Sequence, residues 1–462
     1  MKFNKKKKNN QTPVKPNWHP VEKKAVEAAG WVADWIPGDD GFMHVGSLIL
    51  FGDDFDDDSL SLRQFKHLSD LLVSHPGLKS LNVSENPALG ALAAIGCRLE
   101  TLDVSKCPLL EVLRVEDNKL KKLDVSKNPL LTTLLADRNQ LSEIDLSGNP
   151  ALTRLSLRAN FLGKIDVSKN TALLDLGVSE CGLNELDVSK NILLLTLDAS
   201  ENNLARLDVA KNTSLTDLVV CGNELKTLDL RANTNLVAAD VSGNRLRELD
   251  LSKNILLEKL AAADNVLTAI DLSQNRALTS LDFLFNDLKT LDLRSNPRLV
   301  KLNVKSNVLR ELDVYHLPHL KFLHAGDNKF KWFDVADNVD LRTLRLEDNR
   351  LTSLDVANNN RLKTLHVHSN LLSSLDLSQN VGLRTLRVDE NRLFRLDVSR
   401  NAKLKKLDVS HNPMRMLVVA AKSRLAVVKL SPGQKKTMTV AKKDRGAAKI
   451  QDSPPPAGPP PL

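Results

Sequence analysis

The 462-residue sequence has one tyrosine and only 4% aromatic residues, so aromatic bulk cannot fill its interior. Four cysteines are too few for a disulfide-held scaffold of this length. No apolar run approaches the roughly 18–20 residues that a membrane-crossing helix needs. Lys5–Lys8 is not followed by the apolar segment of a secretory signal. A cytoplasmic location is therefore the expectation, with export by a signal-less route left open. The residue patterns of a G-x-S-x-G nucleophile elbow, a phosphate-binding G-x-x-x-x-G-K-[ST] loop and an H-E-x-x-H zinc helix are all missing. Flanks of this length are expected to be too short for an attached catalytic domain. A binding protein, not an enzyme, with no cofactor and no resident metal, is the expectation.

The formal charge of +8 invites a nucleic-acid reading, but its distribution argues against one. Residues 1–24 carry eight lysines against Glu22, and residues 431–462 carry five lysines and Arg445 against Asp444 and Asp452. The two ends together exceed the charge of the whole chain, leaving the stretch between them at about −3. Only the ends are basic.

Leucines recur every 21 residues from Leu89 to Leu404 without insertion or deletion, and Leu425 continues the series. A fixed period of this size marks a repeat architecture. Each period has two halves. The first reads L-x-x-L-x-[VLA]-x-x-N-x-L, as in Leu152, Leu155, Leu157, Asn160 and Leu162. The second reads L-x-x-[LI]-D-[VL]-x-x-N, as in Leu162, Ile165, Asp166, Val167 and Asn170. This nested pattern resembles the bacterial 21-residue class of leucine-rich repeats, over residues 78 to about 430. The resemblance implies a solenoid fold and a role in binding, and it permits an effector or adhesion-type protein.

Within each half the apolar residues alternate with period two, which predicts a short strand. The following Asn sits at a turn, where its amide can satisfy backbone groups of neighbouring coils and form an asparagine ladder. One coil cannot bury its own leucines; stacked coils can. The fold expected is a β-rich leucine-rich-repeat solenoid of about 16–17 coils with two parallel sheets and a small N-terminal α/β cap. At roughly 4.8 Å per coil, sixteen coils span about 75–80 Å. Four segments follow: a basic tail at 1–17, the cap at 18–77, the solenoid at 78–430, and a Lys/Ala/Pro-rich tail at 431–462 whose prolines suit an SH3- or WW-type partner.

In the cap, Leu60, Leu62, Phe65, Leu68, Leu71 and Leu72 fall on one helical face, predicting a helix over 59–75. Met43–Phe51 reads as a strand, and 20–36 as an amphipathic helix carrying Trp31 and Trp35. Leu425, Val428 and Leu430 form a last partial coil. Cys97, Cys107 and Cys181 stand at ladder positions, where a small buried thiol can replace Asn. Cys221 lies at an outward position and is the expected reactive thiol. Leu317 replaces a ladder Asn and predicts a local irregularity.

Two series carry the functional argument. In the second half the outward position is Asp in fifteen consecutive coils, from Asp103 to Asp397. The glycine-rich turns of calcium-binding solenoids are missing, so these carboxylates are expected to accept backbone and serine hydrogen bonds and to pair with adjacent Lys or Arg. The acidic loop Asp53–Asp58 lacks the alternation of a calcium-binding EF-hand loop. In the first half the equivalent position varies freely, as in Arg114, Leu135, Ser156, Gly177 and Asp198. A variable sheet can encode recognition.

Its richest stretch lies towards the C-terminus. Leu284 and Phe322 are apolar at outward positions. His324, Arg345, His366 and Arg387 form a file, one per coil, with Lys301, Lys305 and His368 beside it and Glu347 and Asp389 interspersed. These nine apolar and basic residues are the candidate binding site for a protein partner engaged by a monomer. Zinc at His366 and His368 lacks an evident third ligand. The alternative is a tether, in which the basic tails hold the rod on nucleic acid or acidic lipid.

Overall fold

The computed structural model describes residues 20–29, 32–40, 42–51, 58–419, 425–431, 439–442 and 449–452. It divides into two compact units, 1–183 and 184–462. The tail 1–17, Trp31, and the acidic loop apart from Asp58 lie outside the described residues.

The first unit opens with helix α1 (Pro20–Ala29), strand β1 (Val32–Pro37) and strand β2 (Met43–Phe51). The helix expected over 20–36 is thus shorter, and Trp35 lies on a strand. β1 and β2 pair antiparallel with an irregularity between Asp34 and Trp35. Buried Glu22 ties α1 to β2: its Oε2 accepts from Val45 N at 2.6 Å, and its Oε1 lies 3.1 Å from His44 Nδ1. His44 Nε2 turns to Asp40 Oδ1 at 2.9 Å. Burial works against a charged His44, yet the hydrogen bonds and charges of Asp40 and Glu22 outweigh it and raise its pKa above 6.5. β2 then pairs parallel with Asp70–Ser74, which leads into the coils.

No helix spans 59–75. Ser59–Ser61 and Asp70–Ser74 are strands paired with Ser80–Asn82 and Ala91–Ala94, one period later. Apolar residues three or four apart suit a helical face, but they also fit the coil: Leu60, Leu62, Phe65, Leu68 and Leu71 precede Leu81, Val83, Asn86, Leu89 and Leu92 by 21. Phe65 fills a ladder position, and Asn86 Nδ2 donates to its carbonyl at 2.8 Å. Inter-coil pairing decides between the two readings, because it satisfies the backbone and buries these side chains together.

Each later coil contributes a three-residue first-half strand. In the first unit Val112–Arg114, Thr133–Leu135, Arg154–Ser156 and Asp175–Gly177 pair parallel in register, with Leu113, Leu134, Leu155 and Leu176 fully buried at their centres. The strand ends at a left-handed residue. From Gly96 to His411 the residue before every first-half ladder position has φ between +51° and +65°, and thirteen of these sixteen are not glycine. Each costs about 1 kcal/mol or more, and the ladder side chain that follows offsets it. Asn118 shows how: Nδ2 donates to Ala94 O at 2.7 Å, while Oδ1 accepts from Leu99 N at 3.0 Å.

The second half departs from the expected second sheet. Among the described residues it forms regular strands only at Ser59–Ser61 with Ser80–Asn82, and at Arg395–Val398, Met416–Val419 and Thr439–Lys442. In the other coils the backbone closes two consecutive tight turns, such as Asn128 N to Val125 O and Leu131 N to Asn128 O. Coils are joined there by single backbone bonds at the start of the half, such as Gln140 N to Leu120 O, and by the ladder: Asn128 Nδ2 reaches Val104 O and Cys107 O at 3.0 and 2.8 Å.

In the second unit first-half strands run in parallel register from Thr196–Asp198 to Lys406–Asp408 and on to Val427–Leu430. Lys449–Asp452 pairs with Val427–Leu430, so two strands continue the coil pattern inside the segment expected as a tail. Leu317 produces no irregularity. Phe322–His324 pairs in register on both sides, because fully buried Leu317 keeps the tight turns to Val314 O and from Leu320 N. No helix among the described residues is long and apolar enough to cross a membrane.

Candidate interaction surface

The aspartates of the second half are committed to the turn that follows them. Oδ1 of each of the fifteen accepts from the backbone N–H two residues on, at 2.8 Å from Ser105 to Asp103 and 2.9 Å from Ser399 to Asp397. This fixes the chain's exit from the half-coil in the manner of an Asx turn. Asp229 and Asp292 also clamp Arg231 and Arg294, and the guanidinium hydrogen bond with the backbone bond lowers both carboxyls to about 2. Among the described residues no group of three His, Cys, Asp or Glu is placed to hold a metal ion.

The first-half face is different. Strand register places Asn303, His324, Arg345, His366, Arg387 and Asp408 side by side in successive coils. Two residues further along each strand, Lys305, Glu347, His368 and Asp389 follow. Arg387 donates from Nε and Nη2 to Asp389 at 3.3 and 3.0 Å. In the first unit Arg114 offers the same edge to Glu116, but Nε and Nη2 both donate to the single oxygen Oε1, at 3.2 and 2.8 Å. Arg345 makes none, because Glu347 turns one coil back to His324, Oε1 to Nε2 at 2.7 Å.

His324 is therefore a buried, paired residue, 9% exposed, and not the surface contact its sequence position suggests. Burial opposes ionisation of Glu347, but the His324 hydrogen bond and a backbone hydrogen bond, aided by the charges of His324 and His368, lower its pKa to about 2. His366 is half-buried and is pushed down to about 4 by burial and then by Arg345, so its ring is neutral at pH 7. Its ring lies 6.2 Å from that of His368. Phe322 is half-buried, edge-on to His324, and Leu284 and Lys305 are half-buried, while Lys301 is exposed.

The cysteines separate as their positions imply, with one correction. Cys97, Cys107 and Cys181 are buried at ladder positions, and Cys181 Sγ donates to Leu157 O at 3.1 Å. Cys221 is not an activated thiol. Burial, then the neighbouring Asp240, pushes it up to about 11.

Sequence reasoning missed the exposed aromatics. Tyr315 and Trp332, 62% and 61% exposed, flank a cleft of about 520 Å³ that Asp292, Asp313, Asp334 and Arg294 also line. The signal was present, since Trp332 is the one aromatic residue at a position where the coils from Thr101 to Arg395 otherwise carry Glu, Lys, Arg, Thr, Ser or Ala.

Coils of 21 residues, a parallel first-half sheet and paired ladders define a leucine-rich-repeat solenoid built to present a surface. The functional domain of InlJ from Listeria monocytogenes, which includes a cysteine ladder, is 30% identical, with 72% of this chain and 75% of that one covered and a TM-score of 0.66. YopM from Yersinia enterocolitica is 24% identical over 88% of this chain and 91% of its own, also with a TM-score of 0.66. A leucine-rich-repeat protein of Leptospira interrogans is 18% identical over 83% and 93%, at 0.58. No family model matches the chain, and no curated protein does. The chain belongs to the bacterial leucine-rich-repeat proteins of the 21-residue class.

Proposed function

We propose that this chain is a protein-interaction scaffold that engages its partner through the first-half sheet, centred on the stretch from Leu284 to Arg387. One observation carries the reading: the two faces differ in what their polar groups are doing. On the second-half face all fifteen carboxylates are used by the coil's own turns. On the first-half face Arg345, His366 and His368 keep polar atoms that no group among the described residues satisfies. A uniform, internally committed face is scaffold; a variable one with unsatisfied donors beside half-buried Phe322 and Leu284 suits a partner. An effector or adhesion role is one setting for such binding.

Charge reversal tests it. The native partner is recovered by affinity purification with the wild-type chain, and its capture is then measured with Arg345→Glu/Arg387→Glu. Capture falls at least tenfold if this face binds, while Lys253→Glu on the opposite half leaves it unchanged. Equal capture by both variants removes the assignment. Membership in a family of binding solenoids supports the general reading.

A further inference from the structure

Setting the ladder asparagines aside, six buried side-chain polar atoms lack a hydrogen-bond partner among the described residues: Glu116 Oε2, Ser306 Oγ, Arg345 Nε, Glu347 Oε2, His366 Nε2 and His368 Nδ1. Four of the six fall in two adjacent coils whose strands pair directly, Arg345 beside His366. Leaving a buried polar group unsatisfied costs about 1–3 kcal/mol, and more for a charged one. Three of these four are nitrogens, as a site built for an incoming acceptor requires.

The chain itself indicates which group fits. Three coils carry Arg at the outward strand position with an acidic residue two places on. In Arg114–Glu116 and Arg387–Asp389 the carboxylate takes the Nε/Nη2 edge of the guanidinium. At Arg387 the two bonds reach both carboxylate oxygens, matching the planar fork to a planar carboxylate, while at Arg114 both nitrogens share Glu116 Oε1. In the third coil the acid is present but used elsewhere, since Glu347 is held by His324 at 2.7 Å. The Nε of Arg345 is left buried and without a hydrogen-bond partner among the described residues.

We infer that the unpartnered edge of Arg345 is the receptor for an Asp or Glu side-chain carboxylate supplied by the protein that binds this surface, with His366 and His368 as flanking donors. The inference rests on the proposed use of this face and adds the chemistry of the group it reads. Neutral His366 can present an N–H to the incoming oxygen. Phe322, half-buried two coils before His366, offers apolar surface for the remainder of the partner segment. Glu347 stays out of the way only as long as His324 holds it.

The test uses the full chain and short peptide probes, reading the Cε1–H resonances of its histidines by NMR. Acetyl-Ala-Glu-Ala-amide is expected to give saturable shifts at His366 and His368. The Gln analogue is expected to bind at least roughly tenfold more weakly, the loss of one charge-assisted contact, and acetyl-Ala-Ala-Ala with a free C-terminus and inorganic phosphate are expected to bind no more tightly than the Glu peptide. Arg345→Lys, which keeps the charge but loses the fork, should weaken the Glu peptide by a similar factor. His324→Ala should do so without touching Arg345, by freeing Glu347 to close the edge as Glu116 does on Arg114. Glu347→Gln should instead tighten binding, so a variant that merely loosens the coil cannot imitate the whole set. No saturable shift with the Glu peptide, equal binding of the Gln peptide, or stronger binding of phosphate or the free C-terminus overturns the inference. The titration needs no partner. Loss of capture in the charge-reversed variant without peptide binding overturns this inference and leaves the proposed function standing. Peptide binding with unaltered capture upholds the carboxylate site and overturns the surface assignment.

Discussion

Glu347 reaches back across one coil and places Oε1 2.7 Å from His324 Nε2, leaving Arg345 beside it without the carboxylate that Arg387 obtains from Asp389. Both partners are nearly buried, with side chains 11% and 7% exposed. Removing one partner of such a pair leaves the other desolvated and unpaired, which costs about 3 kcal/mol or more, whereas removing both costs less. Glu347→Ala should therefore lower the denaturation midpoint more than His324→Leu/Glu347→Leu does. A double variant that unfolds at least as early as the single one would show that the pair's own attraction, not the orphaned histidine, dominates.

Two histidines couple stability to pH with opposite signs. His44 has its pKa raised above 6.5. Its contribution is fully present below the unfolded value and is lost as pH rises through the folded one. His366 has its pKa lowered from 6.5 to about 4. Between those values the unfolded chain binds the extra proton, so stability falls as pH drops from 6.5 towards 4. Amide exchange, corrected for intrinsic rates, should show the β2 backbone around Val45 opening more readily at pH 8 than at pH 6. The strand around Leu365 should open more readily at pH 4.5 than at pH 7. His366→Gln should flatten the second profile and leave the first intact; parallel profiles at both sites would refute the assignment.

Leu317 gives a test of how the ladder weighs against packing. Asn296 and Asn338 each donate to two carbonyls of the preceding coil, at 3.1 and 3.0 Å and at 2.8 and 3.0 Å. At Leu317 those two bonds are missing, and the carbonyls that period 21 would assign to it belong to Leu293 and Asn296. Leu317→Asn restores both, worth about 1–3 kcal/mol together, but gives up about 1.5–3 kcal/mol of leucine burial and brings in an amide oxygen of the kind left without a partner at Asn296 and Asn338. The thermal midpoint should not rise. A rise would mean that the ladder outweighs leucine packing at this coil.

The 21-residue period made the coil, its buried leucines and the ladder positions legible, because each is a residue type imposed at a fixed place. The segment 59–75 misled because apolar spacings of three and four serve a coil as well as a helix, and Phe65 hid the ladder position. The left-handed residue of every coil was invisible, since Asp117, Arg138, Ala159 and Phe285 share no chemistry. The candidate surface was legible as a file of residues but not as a network. Which donor Glu347 would choose, His324 or Arg345, depends on side-chain direction across coils, and sequence spacing alone does not fix that.

The aspartate series separates a structural part from a cation site. Asp250 Oδ1 accepts from Ser252 N at 2.9 Å, and its pKa is lowered mainly by that backbone bond and the Ser252 side chain. If the turn is its whole purpose, Asp250→Asn should be nearly silent, because the amide keeps an oxygen at the accepting position. Asp250→Ala should lower the midpoint, because Ser252 N loses its acceptor and the turn its constraint. Millimolar calcium should leave wild type and both variants unmoved. A cation ladder predicts a different order: calcium would raise the wild-type midpoint by mass action, and Asn, which removes the charge, would be nearly as damaging as Ala. Thermal unfolding of the three chains with calcium and with chelator decides between them, since only a ladder of cations makes the wild-type midpoint depend on calcium and the Asn variant fall with the Ala variant.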